Sequence, residues 1–542
     1  MKLANSRLRP PMPGWRSAVA AVLVFLSTGL AALAVTPVQY DFLKLRATDG
    51  ATYDLFGVSV ALDGDTAVVG ASSGDDDNGV NSGSAYVYVR DGTGNWSQQA
   101  KLLAADGAPG DAFGIRVALD GNTAVVGALS GSRSGSAYVF VRDGAGNWSQ
   151  QAKLFVADGA ADDFFGGSVA LDGDTAVVGA FRDDDNGFES GSAYVFVRDG
   201  AGLWSQQAKL LAADGAWGDF FGISIALSGD TVIVGADEDE DERYGPGSAY
   251  LFVRDAAGLW SQQAKLLATD GAVSDQFGWS VALDGDTAVV GTPGIDYGSD
   301  SGAAYVFVRE GAGHWSQQAK LLSADGAAYD RFGSSVALDG DTTVVGAKED
   351  DDNGVGSGSA YVFVRDGTGN WTEQSRLLAS DGAAGAGLGH YVGVSGGWAI
   401  AGAPWHDASF TDQGAAYLFA ISAQGPRRVG IDNKPSNPNN PVNPFNNGRF
   451  WVAILAEEGF DPLQVDVSSV RFGPSNATTN STRVRDVNHD GLPELMLRFV
   501  IPELGVSCGM ERLSLSGRTF AGDEIFGDDF IRTVGCARRR EK

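Results

Sequence analysis

The chain has 542 residues and a formal net charge of −29, with 76 glycines, four methionines and two cysteines. Such acidity argues against nucleic acid and against an anionic membrane surface as electrostatic partners, since both would repel it. The length suits one large domain and a smaller one, and the glycine content suits a turn-rich all-β protein.

Residues 1–34 read as a secretory signal peptide. Lys2, Arg7, Arg9 and Arg16 precede an apolar run from Ala18 to Leu33, and Ala32-Leu33-Ala34 offers a small-x-small cleavage site. An uncleaved anchor is the alternative, although the run is short for a membrane span. Cleavage removes four positive charges and no negative ones, which takes −29 to −33. No other stretch is apolar for long enough to cross a bilayer, so a secreted or cell-surface location is expected.

From residue 38 to 424 one unit recurs. Its Phe-Gly start appears at Phe56, Phe113, Phe165, Phe221, Phe277 and Phe332, with a degenerate copy at Leu388, at steps of 57, 52, 56, 56, 55 and 56 residues. A fixed period of this size means one supersecondary unit copied. In the first unit, Ser59 to Leu62 and Thr66 to Ala71 are short Val, Ala and Leu runs joined through Asp63-Gly64, a strong hairpin signal. A variable polar loop leads to Gly83–Arg90, which alternates with period two, and a turn at Asp91 to Asn95 leads to Trp96–Leu103. Four antiparallel strands in about fifty residues make one propeller blade.

Seven starts therefore predict seven blades. The last unit ends after its third strand, Ala415 to Ile421, while an orphan strand, Gln39 to Thr48, aligns with Trp96 to Ala105. The orphan is expected to pair with Ala415–Ile421 and close the ring, which removes exposed strand edges.

The FG…VVGA frame resembles the FG-GAP repeat of integrin α-subunit propellers and their bacterial relatives. The resemblance implies a β-propeller that binds or adheres to other molecules. The family often carries a DxDxDGxxD calcium loop between the FG and the GAP. Here that place holds only the tight turn Leu62 to Thr66, which cannot cage a calcium ion with five or more oxygens.

In an up-and-down blade, the second-to-third loops and the blade-to-blade crossings share one face. The variable acids lie on it: Asp75, Asp76 and Asp77; Asp183, Asp184 and Asp185; Asp237, Asp239 and Asp241; Asp350, Asp351 and Asp352. Either they are plain solvated loops or this is where a partner binds. The crossing residues Asp54, Asp111, Asp163, Asp219, Asp275 and Asp330 are expected to cap local backbone amides. The repeated tryptophans, beginning with Trp96, are expected to pack between blades or at the rim.

Beyond the propeller, residues 425–448 are rich in Pro and Asn and read as a linker or an irregular entry to a second domain. Residues 449–537 form the second, small β domain. The stretch 428–537 resembles a C-terminal domain of bacterial secreted, repeat-bearing proteins through its VAIL, VRFGP, DVNHDG and IRTVGC segments. DVNHDGLPE places Asp486, Asn488, Asp490 and Glu494 at positions 1, 3, 5 and 9, with the Leu492 carbonyl at 7. That spacing aims hard oxygens at one Ca2+, although the bidentate Glu of an EF-hand is replaced by Leu497. A simple turn is the alternative. Cys508 and Cys536 are expected to form a disulfide in a secreted chain.

Four histidines are scattered through the chain, and no general acid, base or nucleophile constellation stands out. A literal GxSxG at Gly393–Gly397 puts Ser395 in a hairpin turn, whereas a nucleophile elbow needs a strand-to-helix turn. The expectation is a monomeric, non-catalytic binding or adhesion protein that presents an acidic loop face to an extracellular protein or glycan. A propeller-based metal-dependent hydrolase or lyase, and a structural surface protein with no specific ligand, are the rival readings.

Overall fold

The computed structural model describes residues 38–536 apart from 75–77, 93, 130–133, 240–244, 295–300, 312, 408–410, 422–426, 436–439, 457–459, 474, 476, 480, 489–491, 509, 511 and 520–523. The signal-peptide expectation therefore lies outside the described residues. No described helix is long and apolar enough to cross a membrane.

Seven four-stranded antiparallel sheets repeat along residues 43–420. Blade one comprises Ser59–Asp63, Thr66–Ala71, Ser84–Arg90 and Trp96–Leu102. The second strand of each blade is almost wholly buried, as its continuous Ala/Val/Gly text requires. Asp63 pairs with Thr66, so Gly64 and Asp65 form the turn, and Gly64 takes the positive φ of +52°.

The repeat signature is a blade-to-blade contact. Gly70 of VVGA lies against Gly114 of the next Phe-Gly pair, and a Cβ on Gly70 would fall 1.9 Å from the Gly114 carbonyl oxygen. Each Phe of that pair packs on two aromatic residues of its own third strand, as Phe113 does on Tyr138 and Phe140. On the opposite face, each first-turn glycine amide donates to the residue that ends the preceding blade's first strand. Gly121 donates to Asp63 and Gly173 to Asp120, and Gly64 closes the circle on Ser395 at 3.0 Å. Ser395 of the GxSxG sequence is thus a hairpin-turn residue.

Fourth strands in blades one to six carry a bulge at one glutamine, for example Gln99 between Gln98 and Ala100. The bulged Gln accepts from the next blade's tryptophan: Trp148 to Gln99, Trp204 to Gln151, Trp260 to Gln207, Trp315 to Gln263 and Trp371 to Gln318, at 2.8–3.1 Å. The tryptophans thus join neighbouring blades, as expected.

Ring closure follows the expectation only in part. Leu43–Leu45 pairs antiparallel with Ala415–Ala420, Leu43 opposite Leu418. Val38–Tyr40 instead pairs in parallel with Trp371–Leu378 of blade six. At the end of blade seven's third strand the Ala420 carbonyl accepts from the Gln39 side chain, while the backbone of residues 38–40 takes the neighbouring edge. At the break Asp41 accepts the Ser380 amide at 2.5 Å. Phe42 occupies the bulge position and packs on Trp398, which leaves the buried Trp96 Nε1 without an acceptor among the described residues.

The C-terminal region has two four-stranded sheets with one shared apolar core that includes Phe450, Phe472, Leu497, Phe499 and Leu515. The described part of residues 425–448 is an irregular entry that pairs into this domain. Ile431–Asn433 is an edge strand on Arg449–Ile454, and Pro441–Val442 pairs with Arg532–Thr533. The Asn side chains anchor this stretch: Asn433 and Asn440 both donate to the Asp529–Phe530 backbone. A disulfide joins Cys508 to Cys536.

Candidate functional site: the loop face of the propeller

A lysine on the fourth strand, a tyrosine on the third and an aspartate from the preceding blade meet at each blade junction. In blade one Lys101 Nζ lies 2.7 Å from Asp49, to which Tyr86 donates at 2.9 Å. Lys320, Tyr305 and Asp270 repeat this in blade five. Arg376 replaces the lysine in blade six. Lys44 of the closing strand fills the place in blade seven, with Asp381 and Tyr417.

Blades three, four and six add a second acid, and this corrects the expected binding surface. Asp183, 3% exposed, accepts from Tyr194 at 2.7 Å and from Lys209 at 3.0 Å. Burial opposes its charge, but the bonds from Tyr194, Lys209 and the Asp185 amide outweigh it and hold the carboxyl below its usual range. Asp239 is likewise buried against Tyr250 and Lys265, and Asp350 against Tyr361 and Ser359. Asp237 is buried too, and burial, with Glu238 beside it, pushes its carboxyl up to about 7. These four do not face a partner. The third position after the second-strand Gly-Ala turns inward onto the tyrosine of the third strand, and only Asp237 is buried by its place at the strand end. In blade seven the inward position is His406, whose two ring nitrogens lie 3.2 and 3.1 Å from Lys44 Nζ.

Asp184, Asp185, Asp351 and Asp352 are exposed. Asp185 pairs with Lys209 and Asp352 with Arg376. Asp184 accepts the Glu189 amide and Asp351 the Gly356 amide, so the two loops share one frame with their carboxylates at the surface. Asp75, Asp76, Asp77 and Asp241 lie outside the described residues. The crossing aspartates act as caps: Asp54, Asp111, Asp163, Asp219, Asp275 and Asp330 each accept the amide three residues earlier, at 2.5–2.8 Å.

The same face carries apolar side chains that the acid pattern did not foretell. Val80, Phe188 and Val355 occupy equivalent loop tips, and Tyr53, Trp217 and Tyr329 stand on crossings, with exposures from 49% for Trp217 to 76% for Val355. For Val80, Phe188 and Val355 the signal in the sequence was the position itself, one large residue after the loop's Asn-Gly; for Tyr53, Trp217 and Tyr329 it was a large residue two or three positions after the crossing's Asp-Gly.

At the centre of this face the channel holds a cavity of about 200 Å³, ringed by β-branched residues such as Val60, Val169 and Val281. The small and apolar lining expected from the first strands is present. Arg116, Trp279 and Tyr391 also line it. Trp279 stands at a position that varies from blade to blade, whereas Arg116 and Tyr391 are departures from the repeat, which carries Ser at their position in five blades. Departure from the consensus was the signal that could have found these two.

In the C-terminal domain Glu494 is fully buried. Its Oε2 accepts the Val487 amide at 2.6 Å, and its Oε1 has no partner among the described residues. Asp486, Asn488 and Leu492 are exposed, and Asp490 lies outside the described residues. A buried carboxylate oxygen without a donor beside an Asp/Asn loop fits a hard cation.

The FG-GAP repeat family profile matches seven segments, 41–88, 96–140, 148–196, 204–252, 260–307, 315–363 and 371–419. The chain belongs to the FG-GAP repeat family and is a seven-bladed propeller of that class, a fold compatible with non-catalytic binding. A search of curated proteins found no match. Among solved structures it is similar to a crystal structure from Bacteroides uniformis provisionally described as a 6-phosphogluconolactonase. The identity is 12%, the TM-score 0.42, and the match covers 60% of this chain and 85% of that one. A likeness of that size says nothing of activity.

Proposed function

We propose that this is a secreted or cell-surface, non-catalytic binding protein whose loop face docks an extracellular protein. The observation that carries the reading is the co-location of exposed Phe188, Val355, Trp217, Tyr53 and Tyr329 with the outward carboxylates of Asp184 and Asp351. Apolar anchors within a charged rim are the anatomy of a protein interface. The acids suit a partner rich in Lys and Arg around its pockets. Calcium held by Asp486, Asn488, Asp490, the Leu492 carbonyl and Glu494 would stabilise the C-terminal domain, a reading supported by the unpartnered Glu494 oxygen.

The test is capture of a partner from surface extracts by the wild-type chain and by Phe188→Ser, Trp217→Ala and Val355→Ser. Loss of the partner with unchanged melting is expected. Leu203→Ser and Leu259→Ser, equally exposed on the turn face, should keep it. The reverse pattern would place the interface on the wrong side of the ring.

A further inference from the structure

The channel mouth gathers cations that the rest of the propeller does not leave alone. Among the described residues, every other propeller Lys and Arg is ion-paired, or in Arg142 bonded to Asn122. Arg116, Arg331 and Lys348 form no ion pair. In a chain with 68 acidic and 39 basic residues, three such cations close enough for Arg331 and Arg116 both to act on Lys348 are a specific arrangement.

They also lie close together. Burial, then the charge of Arg331 and more weakly that of Arg116, hold the Lys348 ammonium below its ordinary range, with Glu349 acting the other way. The Arg116 guanidinium lies 4.6 Å from the Tyr391 ring centre, and Lys348 Nζ lies 6.0 Å from the Trp279 ring centre. Arg116 Nη1 donates to the Ile115 carbonyl, but its buried Nε has no partner. Neither has the buried Nδ1 of His390, whose ring meets Trp405 at 4.9 Å. Burial, with Lys348 and Arg116 nearby, lowers that imidazole to about 3, so it stays neutral.

The repeat shows that these side chains are not needed to build a blade. Serine stands at the Arg116 position in five blades, and Ser59, Ser168, Ser224 and Ser280 each donate to the next blade's Phe-Gly carbonyl. Blade two gives up that bridge and places a guanidinium over the cavity instead.

We propose that the channel mouth is a site for a single carboxylate, held by Arg116 and Lys348 beside the aromatic faces of Trp279 and Tyr391. The carboxylate belongs either to a small free acid or to an acidic side chain of a docked protein. In the second case the site is the centre of the loop-face interface and rests on that reading. Arginine and lysine with a low-dielectric apolar floor favour a carboxylate strongly over a neutral isostere.

Calorimetric titration of the full chain with glucuronate, and with the α-amide of N-acetylglutamate, tests the site against glucose and the α-amide of N-acetylglutamine. Saturable binding of at least one acid and of neither neutral compound is expected. Glucuronate alone points to a free sugar acid, and the glutamate probe to a partner's side chain. Arg116→Ser and Lys348→Ser introduce the residues blade one carries at those positions, Ser59 and Ser72, and should weaken binding at least tenfold with unchanged melting. Arg116→Lys should retain most of it, which keeps the test valid if one serine variant fails to fold. The proposal fails if no acid saturates, if the neutral compounds bind equally, or if folded serine variants bind as wild type does. A protein that still docks on the loop face while the acids do not bind would remove this site and leave the docking face standing.

Discussion

Gly402 of blade seven lies so close to Gly57 of blade one that a Cβ on Gly402 would fall 1.9 Å from the Gly57 carbonyl oxygen. The contact is the last of seven between a second-strand glycine and the next blade's Phe-Gly. Gly402→Ala is therefore expected to cost about 2–4 kcal/mol, because backbone rather than a flexible side chain must move. Gly64→Ala has open space but a positive φ and should cost only about 1 kcal/mol. Denaturant melts of the two variants check the order, and equal losses would contradict it.

Removal of residues 38–48 should expose the third strand of blade seven, Ala415–Ala420, along its whole edge. An open hydrophobic edge recruits other chains. Light scattering should show aggregation, and a monodisperse deletion variant with wild-type melting would show that the seam is dispensable.

The seam also carries a pH dependence. Burial, with Lys44 beside it, lowers the His406 imidazole from its ordinary 6.5, while Asp381 acts the other way. Below 6.5 the unfolded chain takes up a proton that the folded chain resists, so stability is full above 6.5 and falls as pH drops below it. His406→Asp places there the acid found in blades three, four and six. Between pH 6.5 and 5 the variant should lose less stability than wild type, and parallel pH profiles would exclude His406 as the cause.

Asp237 has the opposite sign. Its carboxyl is raised from 3.8 to about 7 by burial and by Glu238. Between these values the folded chain keeps a proton that the unfolded chain releases, so stability falls as pH rises, and the loss is complete above 7. Asp237→Asn should match wild type near pH 4 and exceed it at pH 8, by at most about 4 kcal/mol. A variant less stable than wild type at pH 8 would show that the ionised form is the one in use.

For the C-terminal loop, calorimetry of the full chain with calcium and with chelator is informative. Binding to the folded state alone adds roughly 2.7 kcal/mol at a hundredfold excess over the dissociation constant. Glu494→Gln should abolish that response without loss of stability in chelator, since the buried Oε1 has no donor to lose. Identical calcium-dependent melts of wild type and variant would remove Glu494 from the site.

Much of this molecule was legible from its text. A period near 56 residues, two turn signals and period-two strands determine seven blades, because local turn chemistry and hydrophobic alternation act within a single unit. The capping role of Asp54 and its equivalents was equally local, three residues from donor to acceptor. What only the tertiary structure decided lies between units. Asp183 and Asp184 are adjacent and chemically alike, yet one is buried on Tyr194 and Lys209 and the other faces solvent, because the loop's path sets which carboxylate turns inward. Likewise Arg116, Lys348 and His390 come from blades two, six and seven and meet only because the ring closes around its channel.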